Sequence, residues 1–78
     1  MMIFNDNLVQ ELNLLVKFPE TSMEGLKVHN TADEALRAAA QRLFDKGLIT
    51  RNDGGYLTDL GLEATESAHL LVNLMTPR

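Results

Sequence analysis

The sequence predicts a mainly helical α+β fold: about three helices with a short two- or three-stranded antiparallel ribbon. Three observations carry that expectation. An amphipathic helical pattern stops at Gly47. Two short apolar runs, Leu48-Ile49-Thr50 and Tyr56-Leu57-Thr58, flank Asn52-Asp53-Gly54-Gly55. A new helical pattern then starts near Thr58 and reaches about Met75. Seventy-eight residues make one domain, 1–78. A core of that size supplies only roughly 3–5 kcal/mol of net stability. With no cysteine in the chain, neither a disulfide nor a thiolate metal site adds to it.

The first helix is expected from Asn5 or Asp6 to Lys17, capped by one of those two residues, with Pro19 preventing its continuation. Leu8, Leu12 and Leu15 recur at helical spacing, and Val9, Val16 and Leu14 widen the stripe, so this helix reads as largely buried. In residues 20–30, Thr21-Ser22-Met23-Glu24 fits one helical turn ending at Gly25. Leu26-Lys27-Val28-His29 alternates as a very short strand would, and is a candidate third member of the ribbon.

Thr31-Ala32-Asp33-Glu34 reads as a capping box that starts the second helix. Leu36, Ala39, Ala40, Leu43 and Phe44 form its apolar face, and Gly47 suits a left-handed C-cap. In the ribbon, Asp53-Gly54 or Gly54-Gly55 fits the positive-φ positions of a primed turn. An isolated two-stranded ribbon is marginal in water, so packing on helices through Leu48, Tyr56 or Leu57 is expected. Thr58 or Asp59 caps the last helix, whose stripe is Leu60, Ala64, Ala68, Leu71 and Met75. Leu70, Val72 and Leu74 make its C-terminal half apolar nearly all round. That pattern calls for two burial partners, the first helix and a second subunit, with Leu70 and Leu74 at the dimer interface.

Arg42-Leu43-Phe44-Asp45-Lys46-Gly47-Leu48-Ile49-Thr50 resembles the end of the third helix and the first wing strand of bacterial winged-helix regulators of the multiple-antibiotic-resistance and phenolic-acid-decarboxylase types. Tyr56-Leu57-Thr58-Asp59-Leu60-Gly61 is similar to their second wing strand and the entry to the following helix. The resemblance covers residues 38–61. The whole chain also resembles a family of small uncharacterised bacterial proteins of about this length, sometimes labelled DNA-binding on fold grounds. The resemblance implies a winged-helix fold and a transcription-associated role on double-stranded DNA. The chain departs from the regulator pattern in two respects. Only residues 31–46 are available for the two helices of a helix-turn-helix, unless the middle helix is shortened into residues 20–25. The wing is also short, with Arg51 as its only cation.

With Leu36, Ala40 and Leu43 inward, the second helix turns Glu34, Ala38, Gln41, Arg42 and Asp45 outward, with Arg37 on one flank. Arg37, Gln41, Arg42, Lys46 and Arg51 are therefore the candidate DNA contacts, since such side chains read base edges or hold phosphates. Lys27 is a further candidate if the short strand lies beside the wing. Against this, Glu34, Asp45 and Asp53 oppose phosphate, and seven basic against eleven acidic residues leave a net charge of −4. The same helix face also reads as a solvated one with Asp33–Arg37 and Arg42–Asp45 ion pairs. The competing function is a homodimeric protein-interaction module on this scaffold, without nucleic-acid binding.

Catalysis and metal binding find no support. His29 and His69 are the only histidines and lie far apart. Glu63 with Glu66, and Asp33 with Glu34, read as helix-start and surface charges. No nucleophile elbow, phosphate loop or glycine fingerprint occurs, so no enzyme activity and no cofactor is expected. Phe4, Phe18, Phe44 and Tyr56 are too scattered for a stacking platform. With no run as long as a membrane span and no signal-peptide pattern, a cytoplasmic location away from membranes is expected.

Overall fold

Residues 2–18 and 25–77 are described by a computed structural model. Asn5 starts helix α1 (Asp6–Leu15), its Oδ1 accepting from the Leu8 amide at 2.8 Å. The helix ends two residues before the expected Lys17, in a tightened turn where the Lys17 and Phe18 amides donate to the carbonyls of Leu14 and Leu15. The expected turn over residues 21–24 lies outside the described residues. Strand β1 (Leu26–Lys27) is half the expected length. Beyond it the Val28 amide still donates to the Asp53 carbonyl at 2.7 Å, so the segment does join the ribbon.

Helix α2 (Glu34–Asp45) does not use the predicted capping box. Thr31 lies instead in a turn closed by the Ala32 amide on the His29 carbonyl, and Asp33 occupies the cap position without a side-chain hydrogen bond. The C-terminal expectation holds. Gly47 has φ +78, its amide donates to the Phe44 carbonyl, and the Leu48 amide reaches the Leu43 carbonyl, the paired bonds of a Schellman motif. Phe44, expected inward, is exposed.

Strands β2 (Ile49–Arg51) and β3 (Gly54–Leu57) form the hairpin, and β3 lies centrally in the order β1-β3-β2, antiparallel to both neighbours. The turn is not of the primed kind. Asn52 and Asp53 reverse the chain without positive φ, while Gly54 (φ +123) and Gly55 (φ +78) take the left-handed positions inside β3. Ile49 pairs with Leu57 but Arg51 with Gly54, so β3 carries one extra residue as a bulge. The Tyr56 amide released there donates to Thr50 Oγ1 at 3.0 Å. Tyr56 itself is exposed. Ile49 is buried, and Leu48 and Leu57 pack against the core.

Thr58 caps helix α3 (Asp59–Met75), accepting from the Gly61 amide at 3.0 Å. Its hydroxyl also donates to the Gly47 carbonyl at 2.6 Å, which ties the start of α3 to the end of α2. The predicted stripe of Leu60, Ala64, Ala68, Leu71 and Met75 faces inward only in part. Gly61 and Thr65 are buried, with Ala64 packed against the core, whereas Leu60, Leu71 and Met75 are exposed. Small residues on that face permit close approach of backbone. The core comprises Leu14, Leu15, Phe18, Val28, Ala39, Ala40, Leu43 and Ile49.

Thr65 brings one polar atom into this interior. Its side chain is fully buried, and Oγ1 has no hydrogen-bond partner among the described residues. An unpaired buried hydroxyl costs about 1–3 kcal/mol. Thr65→Val keeps the shape and removes the unmet group, so it is expected to raise the thermal midpoint by roughly 5 °C, measured by circular dichroism. A lower midpoint would show that the hydroxyl is satisfied in solution.

Candidate functional site

The five predicted DNA contacts do not form one surface. Arg37 and Gln41, one turn apart on α2, line an open groove of about 410 Å³ together with Lys27, His29, Asn30 and Asn52. Both are already engaged: Arg37 Nε donates to the Ala32 carbonyl at 3.1 Å, and Gln41 Nε2 to Asp45 at 3.0 Å. Arg51 lies on a second concavity of about 270 Å³, with Tyr56 and Gly25. Asp53 lines both and pairs with Lys27 at 3.1 Å. The hydrogen bond from Lys27 holds the Asp53 carboxyl below the usual carboxylate range, so it stays charged at neutral pH. The wing cations therefore sit against a fixed negative charge.

Arg42 and Lys46 are drawn to an acidic side chain of the first helix. Both turn toward α1, where Glu11 is 3 % exposed. Arg42 Nε donates to Glu11 Oε2 at 2.8 Å and Lys46 Nζ to Oε1, while Arg42 Nη2 also reaches the Asn7 carbonyl at 3.3 Å. Burial pushes the Glu11 carboxyl up. The hydrogen bonds and charges of Lys46 and Arg42 outweigh it, leaving Glu11 below its ordinary value of 4.5. Two of the four predicted cations are thus committed to an internal carboxylate. The predicted Arg42–Asp45 pair gives way to Glu11, because a buried carboxylate is a stronger attractor than a solvated one, and in place of the predicted Asp33–Arg37 pair Arg37 donates to the Ala32 carbonyl. Sequence reasoning missed Glu11. The available signal was its place within the apolar stripe of the first helix, three residues after Leu8 and four before Leu15.

Among the described residues the helix-turn-helix is incomplete, and the alternative place for its middle helix, residues 20–25, lies almost wholly outside them. Between β1 and β2 stands one helix, α2, preceded by the turn at residues 29–32. Three helices with a small three-stranded antiparallel sheet are compatible with a winged-helix-like topology. Between β1 and α2 the described residues hold only that turn.

The C-terminal half of α3 exposes a run of large apolar side chains. Leu70, Leu71, Val72, Leu74 and Met75 are between 47 % and 75 % exposed. Leu70 and Leu74, the predicted interface pair, are at 59 % and 75 %. Among the described residues no helix is long and apolar enough to cross a membrane. No group of three or more His, Cys, Asp or Glu among them could hold a metal ion.

Residues 2–76 match a family of unknown function, DUF5669. No curated protein and no solved structure matches the chain.

Proposed function

The chain belongs to DUF5669, a family of unknown function, and we propose that it is a non-enzymatic protein-interaction module on a winged-helix-like scaffold, docking through the C-terminal half of α3. One observation carries this reading. Five large apolar side chains lie within six residues of a helix end that the rest of the domain leaves uncovered. A contiguous exposed apolar patch of that kind marks interaction sites in folded domains. The charge arrangement favours the same reading, since Glu11 withholds Arg42 and Lys46 from phosphate and Asp53 sits beside Lys27.

A second reading is DNA binding through the groove that Arg37 and Gln41 share with the hairpin turn, with Arg51 on a neighbouring phosphate. Sequence-independent affinity scales with the phosphates neutralised, with a salt slope of about −0.9 per contact. Two arginines are too few for more than weak binding by an acidic domain. Fluorescence anisotropy with mixed-sequence duplex DNA decides between the readings. We expect no binding at low salt. Salt-dependent binding lost on combining Arg37→Ala with Arg51→Ala would reinstate the DNA role.

A further inference from the structure

We propose that the groove between α2 and the hairpin turn binds a free α-amino acid, Arg37 taking its carboxylate and Gln41 and Asp53 its ammonium. The groove holds about 410 Å³, in the range of about 300–1,000 Å³ typical of small-molecule sites. None of its described lining residues belongs to α3, so the site stands apart from docking there. The hydrogen bonds already made set what each side chain still offers. Arg37 Nε donates to the Ala32 carbonyl at 3.1 Å, which orients the guanidinium. Nη1 and Nη2 have no partner among the described residues, and such an end-on fork matches the two oxygens of a carboxylate. One turn along α2, Gln41 Nε2 donates to Asp45 at 3.0 Å. Asp45 only accepts, so the amide nitrogen must face it and the Gln41 carbonyl is left for an outside donor. On the hairpin turn, Asp53 gives Oδ2 to Lys27 at 3.1 Å, and a carboxylate accepts at both oxygens. Asn30 and Asn52 add amides, each donor and acceptor, for a polar side chain.

Charge and spacing select the ligand. Arg37 and Lys27 bring positive charge to the groove and Asp53 brings negative charge. A plain anion meets Asp53 and the field of a chain whose net charge is −4. A plain cation meets Lys27 and Arg37. A zwitterion is neutral overall and answers both signs. Arg37 and Gln41 are four residues apart on α2, which sets their Cβ atoms about 5–6 Å apart. A single amino acid spans that distance between carboxylate and ammonium. A peptide does not, because its two terminal charges lie at opposite ends of the chain.

Titration of the isotope-labelled full chain with L-serine, followed by nuclear magnetic resonance, tests this. Saturable shifts are expected at Arg37 Nε and at the side-chain amides of Asn30, Gln41 and Asn52, with a Kd on the order of 1 mM. N-acetyl-L-serine lacks the ammonium and L-serine methyl ester lacks the carboxylate. Each should bind at least about 10-fold more weakly, as loss of a charge-assisted hydrogen bond implies. Arg37→Lys keeps the charge but removes the fork, and should weaken L-serine by about 10-fold. Asp53→Asn should weaken L-serine yet strengthen N-acetyl-L-serine, because Lys27 is then free for a carboxylate. Far-ultraviolet circular dichroism checks that both variants fold. If either does not, the two serine derivatives on the unaltered chain decide alone. Leu74→Glu, on α3, should leave the titration unchanged, so failure of docking through α3 and failure of this site are read separately. Inorganic phosphate or N-acetyl-L-serine binding as tightly as L-serine would mean a plain anion site and overturn the proposal. Equal binding of the methyl ester, or no shift in the groove at about 20 mM L-serine, would overturn it too.

Discussion

Gly61→Ala is expected to abolish the folded state at room temperature, seen as loss of the cooperative thermal transition in far-ultraviolet circular dichroism. Intrinsic propensity argues the opposite, because alanine is better than glycine in a helix by about 1 kcal/mol. The tertiary contact decides the sign. A Cβ on Gly61 would overlap the Leu48 carbonyl oxygen outright, lie 2.9 Å from that carbonyl carbon, and lie 3.3 Å from Leu57 Cδ2. The obstacle is backbone, and it is held in place. The Leu48 carbonyl accepts from the Thr58 amide at 3.1 Å, and the Thr58 hydroxyl binds the Gly47 carbonyl. Relief requires the first turn of α3 to lift away from the end of α2, which uncouples Thr58 as cap and uncovers Thr65 and Ala64. Overpacking of this kind costs about 3 kcal/mol or more, comparable with the whole stability expected of so small a domain. Gly47→Ala is the control. It is strained by φ +78 but meets nothing within 4 Å, so a loss of only about 1–2 kcal/mol is expected. If Gly61→Ala melts near the wild type, α3 is not seated on Leu48.

Glu11→Gln is expected to lower the thermal midpoint at neutral pH by roughly 10 °C. Removing one partner of a buried ion pair costs about 3–5 kcal/mol when the remaining charge stays buried. Here the remaining charges are Arg42 and Lys46, with side chains 27 % and 51 % exposed. Rehydration and solvent screening reduce the loss to about 2 kcal/mol. The pH dependence distinguishes this cluster from general acid unfolding. The folded-state value of Glu11 is depressed below 4.5, so its contribution is fully present above the unfolded-state value. It fades as pH falls from about 4.5 through the lower folded-state value. The gap between wild type and Glu11→Gln should therefore be constant from pH 6 to 8 and close on acidification below about 4.5. A gap that persists undiminished at pH 2 would show that packing, rather than the ionised carboxylate, sets the difference.

Much of the chain's local structure was legible without coordinates. The caps were narrowed to Asn5 or Asp6 and to Thr58 or Asp59, and Gly47 to a left-handed terminus, because backbone groups there must be satisfied within three or four residues; the structure selects Asn5 and Thr58. The glycine pair 54–55 marked the hairpin, but its role in the bulge was not readable. The φ of each residue depends on the pairing of β3 with both neighbours, and Gly54 is pressed against Leu26 in β1. Thr31 with Glu34 made a plausible capping box, yet the turn closed between His29 and Ala32 competes for the same residues and prevails.

The candidate site was less legible, for a different reason. Arg42 was assigned to an outer face by helical geometry alone, which places the α-carbon and not the end of a long side chain, and Lys46 was counted as an available cation on its place at the helix end. Glu11 is 31 residues from Arg42 and 35 from Lys46 along the chain, and no local pattern reveals that it sits between them. Likewise, the predicted stripe of α3 included Ala64, but Leu60, Leu71 and Met75 in it are exposed, while Gly61 and Thr65, which no hydrophobicity scale favours, are what fit beside Ala64 against the carbonyl of Leu48 and the core.

The sequence by itself determined the helix–hairpin–helix order, the left-handed terminus at Gly47 and the acidic balance of charge. Those properties arise from interactions between residues close together in the chain, or from composition. Only the tertiary structure decided which side of α3 is buried, which cations remain available, and that an apolar helix end projects beyond the domain. Each of these depends on distances between segments far apart in sequence, where shape and burial outrank local preference.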